Sequence, residues 1–118
     1  IAEFHDRGAE LILCTGGMSV DPDDRTPAAI RDSGVHVIKY GAPVLPGAMF
    51  MLAYFEDMTP VVGLPGCAMY VRASVLDILL PRLLAGVALR KEDIVALGHG
   101  GLCLQCETCR YPVCPFGK

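Results

Sequence analysis

Short apolar runs alternate with glycine and proline along this chain, and each boundary predicts an element. Residues 1–7 have the make-up of a helix's last turns, with Gly8 as a left-handed stop. The run from Ala9 to Cys14 has no breaker and predicts a buried strand, ended by Thr15-Gly16-Gly17. Thr26-Pro27 offers an N-cap followed by proline at the first helical position, and Gly34 a stop, so 27–33 predicts a short helix. In the next stretch Val35, Val37 and Lys39 share one face and His36 and Ile38 the other, the alternation of a strand. Ala48 to Phe55 is apolar throughout and fits a short buried helix and a strand equally. Val61 to Leu64 predicts another buried strand, broken by Pro65-Gly66. From Cys67 to Leu80 helix formers dominate, with Val71, Val75, Ile78 and Leu79 on one face. Pro81 then opens a second short turn that Gly86 closes.

Strands alternating with helices imply an α/β domain with a mainly parallel sheet over residues 1–88. Residues 89–98 read as a linker with a short capped segment. Residues 99–118 form a cysteine-rich tail with too little apolar surface to fold by burial alone.

Composition narrows the function classes. The 118 residues are 53% hydrophobic and 19% charged, which excludes intrinsic disorder. The mean hydropathy of +0.44 is high for a lone small globule. Together with a start at Ile1, it suggests an N-terminally truncated domain or one covered by a partner, such as a second copy. The net charge of −3 argues against a nucleic-acid binder. Residues 1–8 carry no signal-peptide pattern. The apolar stretch from Gly41 to Tyr70 is interrupted by four prolines, Glu56 and Asp57, so no membrane span is expected. A cytoplasmic location follows as an expectation. The acidity is concentrated early, around Asp21, Asp23 and Asp24.

Cys103, Cys106, Cys109 and Cys114 form C-x2-C-x2-C-x4-C, followed by Pro115. Such spacing lets successive thiolates curl toward a common centre, where a metal does what a core cannot. The pattern is close to the bacterial ferredoxin run, with one residue more before the last cysteine. Zinc is the other candidate, with His99 near enough to replace one sulfur.

Two loops suit an anion. Thr15-Gly16-Gly17-Met18-Ser19 and Gly63-Leu64-Pro65-Gly66 each follow a strand and lead toward a helix. Glycine lets a backbone approach a phosphate, and free amides are its donors. Asp21, Asp23 and Asp24 beside such a site call for a bridging Mg2+, or are simply solvated. Cys67 is placed either as a reactive thiolate or soft ligand, or as a small residue in a tight turn. Cys14 reads most simply as core.

Thr15-Gly16-Gly17-Met18-Ser19-Val20, followed by Asp24-Arg25-Thr26-Pro27, resembles the signature of the molybdopterin-binding domain of molybdenum-cofactor biosynthesis proteins. Pro46-Gly47 matches that family's P-G turn. Gly63-Leu64-Pro65-Gly66 and the closing Leu80-Pro81-x-Leu83-Leu84-x-x-Gly86 match its L-P-G loop and last helix. The resemblance runs from about residue 9 to residue 86, and its tail is similar to that of a subgroup with a C-terminal cysteine cluster. It implies a three-layer α/β fold holding the pterin phosphate. Thr15, Gly16, Gly17, Ser19, Pro65, Gly66 and Cys67 would line the ligand, and Asp24 would be the catalytic residue, helping to hold magnesium at the phosphate. The departures are Asp21 for glycine, Ala48 where lysine is common, and Cys67-Ala68 after the L-P-G loop.

The resemblance implies binding of molybdopterin or molybdenum cofactor in synthesis, maturation or delivery, with a molybdotransferase- or adenylyltransferase-like activity if it is an enzyme. Two rivals stand beside it. One is a non-catalytic chaperone or sensor whose tail docks onto an apo-molybdoenzyme. The other is a nucleotide pyrophosphatase-like enzyme on the same fold.

Overall fold

The computed structural model describes all 118 residues. A short helix α1 (Ala2–Asp6) leads to β1 (Ile12–Thr15), α2 (Thr26–Arg31), β2 (His36–Tyr40), β3 (Met51–Tyr54) and β4 (Pro60–Leu64). A 3-10 turn (Gly66–Met69), α3 (Val75–Leu84), α4 (Lys91–Val95) and a second 3-10 turn (Ala96–Gly100) complete it.

The four strands form one sheet in the order β1-β4-β3-β2. Only the β1–β4 ladder is parallel; β3 pairs antiparallel with both β4 and β2. The sheet is therefore mixed, and the expectation of a mainly parallel one is corrected. The reason lies in residues 48–58. Phe55 to Thr59 makes a tight turn, with the Phe55 amide donating to the Thr59 carbonyl (3.0 Å), and a hairpin joins antiparallel strands. β1, β2 and β4 still point one way, so their carboxyl ends and the start of β3 share an edge.

Burial alternates across the two central strands. Met51, Ala53 and Phe55 with Val61 pack with Ile30 of α2 on one face. Leu52, Tyr54, Val62 and Leu64 pack on the other against Val75, Ile78, Leu79 and Leu83 of α3. Helices thus cover both faces of the sheet.

The long helix begins later than its apolar run suggested. Gly66–Met69 is a 3-10 turn, and α3 starts at Val75 behind a capping box. The Ser74 hydroxyl accepts from the Leu76 amide (3.2 Å), and Asp77 accepts from the Ser74 amide (2.7 Å). Pro81 lies inside α3 and does not open a new turn. Proline has no amide to give the carbonyl four residues back, that of Asp77. The Tyr111 hydroxyl donates to that oxygen instead (3.0 Å), so the tail supplies the bond the helix lacks.

Residues 89–98, expected as a linker with a short capped segment, carry α4 and bury Leu89, Ile94 and Leu97 in the larger core. The tail also joins that core through Phe116, 3% exposed.

Candidate functional site

Shared strand direction brings three loops to one edge: Thr15 to Ser19 after β1, Leu45 to Phe50 before β3, and Pro65 to Cys67 after β4. They enclose a cleft of about 590 Å³. Met18 and Ser19, Pro46 to Met49, and Pro65 to Cys67 line it, together with Leu102, Cys103 and Gln105 from the tail. No charged side chain lines the cleft.

The first loop is held from several sides. Gly17 sits at φ +60°, and a Cβ there would lie 2.8 Å from the Thr26 hydroxyl, so glycine answers both conformation and space. That hydroxyl donates to the Gly16 carbonyl (2.7 Å), and the Thr26 amide to the Gly17 carbonyl (3.2 Å). Met18 is buried at 2% exposure, and its carbonyl accepts from the Tyr40 hydroxyl (2.9 Å). The Met18 thioether lies against Gly63 of β4, where a Cβ would come within 2.5 Å of Met18 Cε. Gly63 is thus a packing glycine rather than part of an anion cradle. Gly66 is different: a Cβ there meets nothing within 4 Å, because it faces open space.

Asp24 folds back on its own loop. Its Oδ2 accepts the Ser19 amide (3.0 Å), and its amide donates to the Asp21 carbonyl (2.9 Å). Asp21 and Asp23 stay exposed, and the three carboxylates form no metal-ligating group. The ligand set for a bridging Mg2+ is therefore not assembled. The amides of Gly16, Gly17 and Met18 donate to no protein acceptor.

The P-G turn is fixed by α3. The Val75 amide donates to the Pro46 carbonyl (3.1 Å), and Gly47 packs so closely on Val75 that a Cβ would collide with it. Ala48 leaves this wall without a cation.

Among the expected site residues, Ser19, Pro65, Gly66 and Cys67 line the cleft. Thr15, Gly16, Gly17 and Asp24 stand behind its wall and shape the loop. Cys67 opens no long helix; it sits in a four-residue 3-10 turn, which removes the helix-terminus argument for its reactivity. Burial raises the pKa of the Cys14 thiol, in keeping with a packed thiol. Cys103, Cys106, Cys109 and Cys114 all border one neighbouring cavity, but no three Cys, His, Asp or Glu side chains are close enough to chelate. The assembled metal tail expected from the spacing is thus not seen.

Leu45, Met49, Val71, Leu102 and Gln105 of the cleft were not legible as site residues; Met18 was marked only as part of its loop and Cys103 only as a metal ligand. The tail reaches the cleft through a bridge between Leu45 and Leu102, with the Cys103 amide donating to the Leu45 carbonyl (2.8 Å). No local pattern encodes such a long-range pairing.

A sheet covered by helices on both faces, with loops gathered into a cleft at the strands' carboxyl edge, defines a small-molecule-binding α/β domain. The family model described as "Probable molybdopterin binding domain" matches residues 2–85, and the chain belongs to that family. A search of curated proteins returned no match. No helix is long and apolar enough to cross a membrane.

Proposed function

We propose that the chain holds molybdopterin in the loop cleft as a binding or delivery protein of molybdenum-cofactor biosynthesis. One observation carries this reading: three loops far apart in sequence line one cleft of about 590 Å³. Small-molecule sites run from about 300 to 1,000 Å³. In this reading the ligand's phosphate lies where the first loop borders the cleft, at Met18 and Ser19, and the Met18 amide lacks a protein acceptor. The pterin lies along Pro65, Gly66 and Cys67, opposite Ala48.

Two observations favour holding the ligand over transferring a group to it. No lysine or arginine lines the cleft to neutralise charge developing on a phosphate. The Asp24 carboxylate is already engaged by the Ser19 amide, which makes it a loop staple rather than a free catalytic acid. A receiving apo-molybdoenzyme would take the ligand at the cleft mouth.

Gly66→Leu tests the placement. The site has room for a Cβ, so the variant folds while its side chain fills the cleft. The unfolding midpoint should hold, and pterin co-purified from a cofactor-competent host should fall by about tenfold or more, equivalent to ~1.4 kcal/mol. Undiminished pterin would move the ligand out of this cleft. Hydrolysis of a dinucleotide by pterin-free protein would replace the reading with the pyrophosphatase one.

A further inference from the structure

A second cavity of about 310 Å³ adjoins the cleft, and Cys103 lines both. Cys103, Cys106, Cys109 and Cys114 all border it. All four are free thiols, and Cys106 and Cys109 are exposed.

The segment that carries them is pinned at its ends and at Tyr111, whose hydroxyl donates to the Asp77 carbonyl (3.0 Å), and has little backbone pairing of its own. At one end the Cys103 amide donates to the Leu45 carbonyl (2.8 Å), and the Leu45 amide to the Gly101 carbonyl (2.7 Å). At the other, Phe116 is buried and the Gly117 amide donates to the Gly100 carbonyl (2.7 Å). Between them, residues 104–113 share one backbone hydrogen bond, Val113 to Arg110 (2.8 Å). Leu104 and Val113 are 70% and 84% exposed. Apart from Tyr111, which packs on the larger core, neither burial nor a backbone ladder organises residues 104–113, yet the four cysteines border a common space.

We propose that these four thiolates bind a metal centre, either one zinc-type divalent ion or an iron–sulfur cluster, which orders the tail. Metal–sulfur bonds of about 2.3 Å need the loop to draw inward. A segment with a single internal backbone bond can do so while its ends stay fixed. For the divalent ion the step is balanced: four thiols each release a proton, and M2+ with four thiolates gives a complex of charge −2. No electron is transferred; the S–H bonds break, and the ion's bound waters leave as the sulfurs replace them. For a cluster of four irons and four sulfides, two ferrous ions, two ferric ions and four sulfides are the co-reactants; the four thiols each release a proton, the product carries charge −2, and no net electron transfer occurs. The Cys103 backbone stays tied to Leu45, so the centre would stiffen the tail wall of the ligand cleft.

The test uses the full chain, reduced, freed of metal by a chelator and without pterin, so its outcome is separate from that of the ligand reading. Co2+ titration should give sulfur-to-cobalt charge transfer and tetrahedral visible bands at one ion per chain, displaced by Zn2+. Alternatively, anaerobic reconstitution with iron and sulfide should give a broad visible chromophore with iron and acid-labile sulfide retained. Cys106→Ser and Cys109→Ser change exposed positions, and circular dichroism checks that they fold. Each should weaken binding by more than the ~100-fold typical of outer-shell losses. Cys14→Ser should bind as wild type does. Proteolysis within residues 104–113 should slow on loading. Folded, reduced protein that binds neither ion nor cluster would overturn the proposal. So would Cys106→Ser binding as tightly as wild type, or loading that leaves proteolysis unchanged.

Discussion

Gly63→Ala probes the contact that ties the sheet to the ligand loop. The added methyl would sit 2.5 Å from Met18 Cε, 2.6 Å from Met18 Sδ and 3.1 Å from Ile30 Cδ1. Carbon atoms rest about 3.5–4.0 Å apart, so the thioether must retreat by roughly 1 Å. It has little room: Met18 is 2% exposed and shares its cluster with the fully buried Ile30, Met51 and Val61. Overpacking of this kind costs about 1–3 kcal/mol. Gly63 has no positive φ, so stiffening the unfolded chain returns about 0.4–1 kcal/mol. The net expectation is a loss of about 1–2 kcal/mol, read by urea unfolding. Met18→Ala alone leaves a cavity and loses about 2–5 kcal/mol. In the double variant the new methyl enters that cavity, so the loss should be smaller than the sum by about 1–3 kcal/mol. Additivity within ~0.5 kcal/mol would refute the contact. The displaced Met18 also carries the carbonyl that Tyr40 holds and precedes Ser19, so Gly63→Ala should weaken pterin retention as well.

Two further predictions concern the outer layers. Tyr111→Phe removes the donor to the Asp77 carbonyl and should cost about 0.5–1.5 kcal/mol. In a Pro81→Ala background residue 81 supplies an amide, so the cost should shrink, and equal costs in both backgrounds would refute the substitution of one bond for the other. Asp57 accepts from the Thr59 amide (3.0 Å) and from His5 (2.8 Å), and these bonds lower its pKa from 3.8 to about 2. A lowered folded pKa stabilises the fold above the unfolded value, and this contribution is lost as pH falls from 3.8 toward 2. Asp57→Asn should flatten that part of the stability–pH curve, and an unchanged slope would contradict the pairing.

Punctuation made much of the fold legible. Glycine and proline flank β1 and β4, and the period-2 alternation of Val35 to Lys39 marked β2. The direction of β3 was not readable, because an apolar run buried on both faces has the same composition in either orientation. The start of α3 is encoded locally, since Ser74-x-x-Asp77 is a capping-box signature, but the apolar run from Cys67 masks it. At the site, Ser19, Pro65, Gly66 and Cys67 were legible from their loops. Gly63 looked like a ligand glycine and is a packing one, a distinction only Met18's position reveals.

The central claim is that the loop cleft holds molybdopterin. Protein purified without oxygen from a cofactor-competent host, and from one unable to make molybdopterin, should be extracted and oxidised, and the fluorescent pterin counted per chain. The account predicts stoichiometric pterin from the first host and none from the second. Folded protein from the competent host that yields no pterin would contradict it.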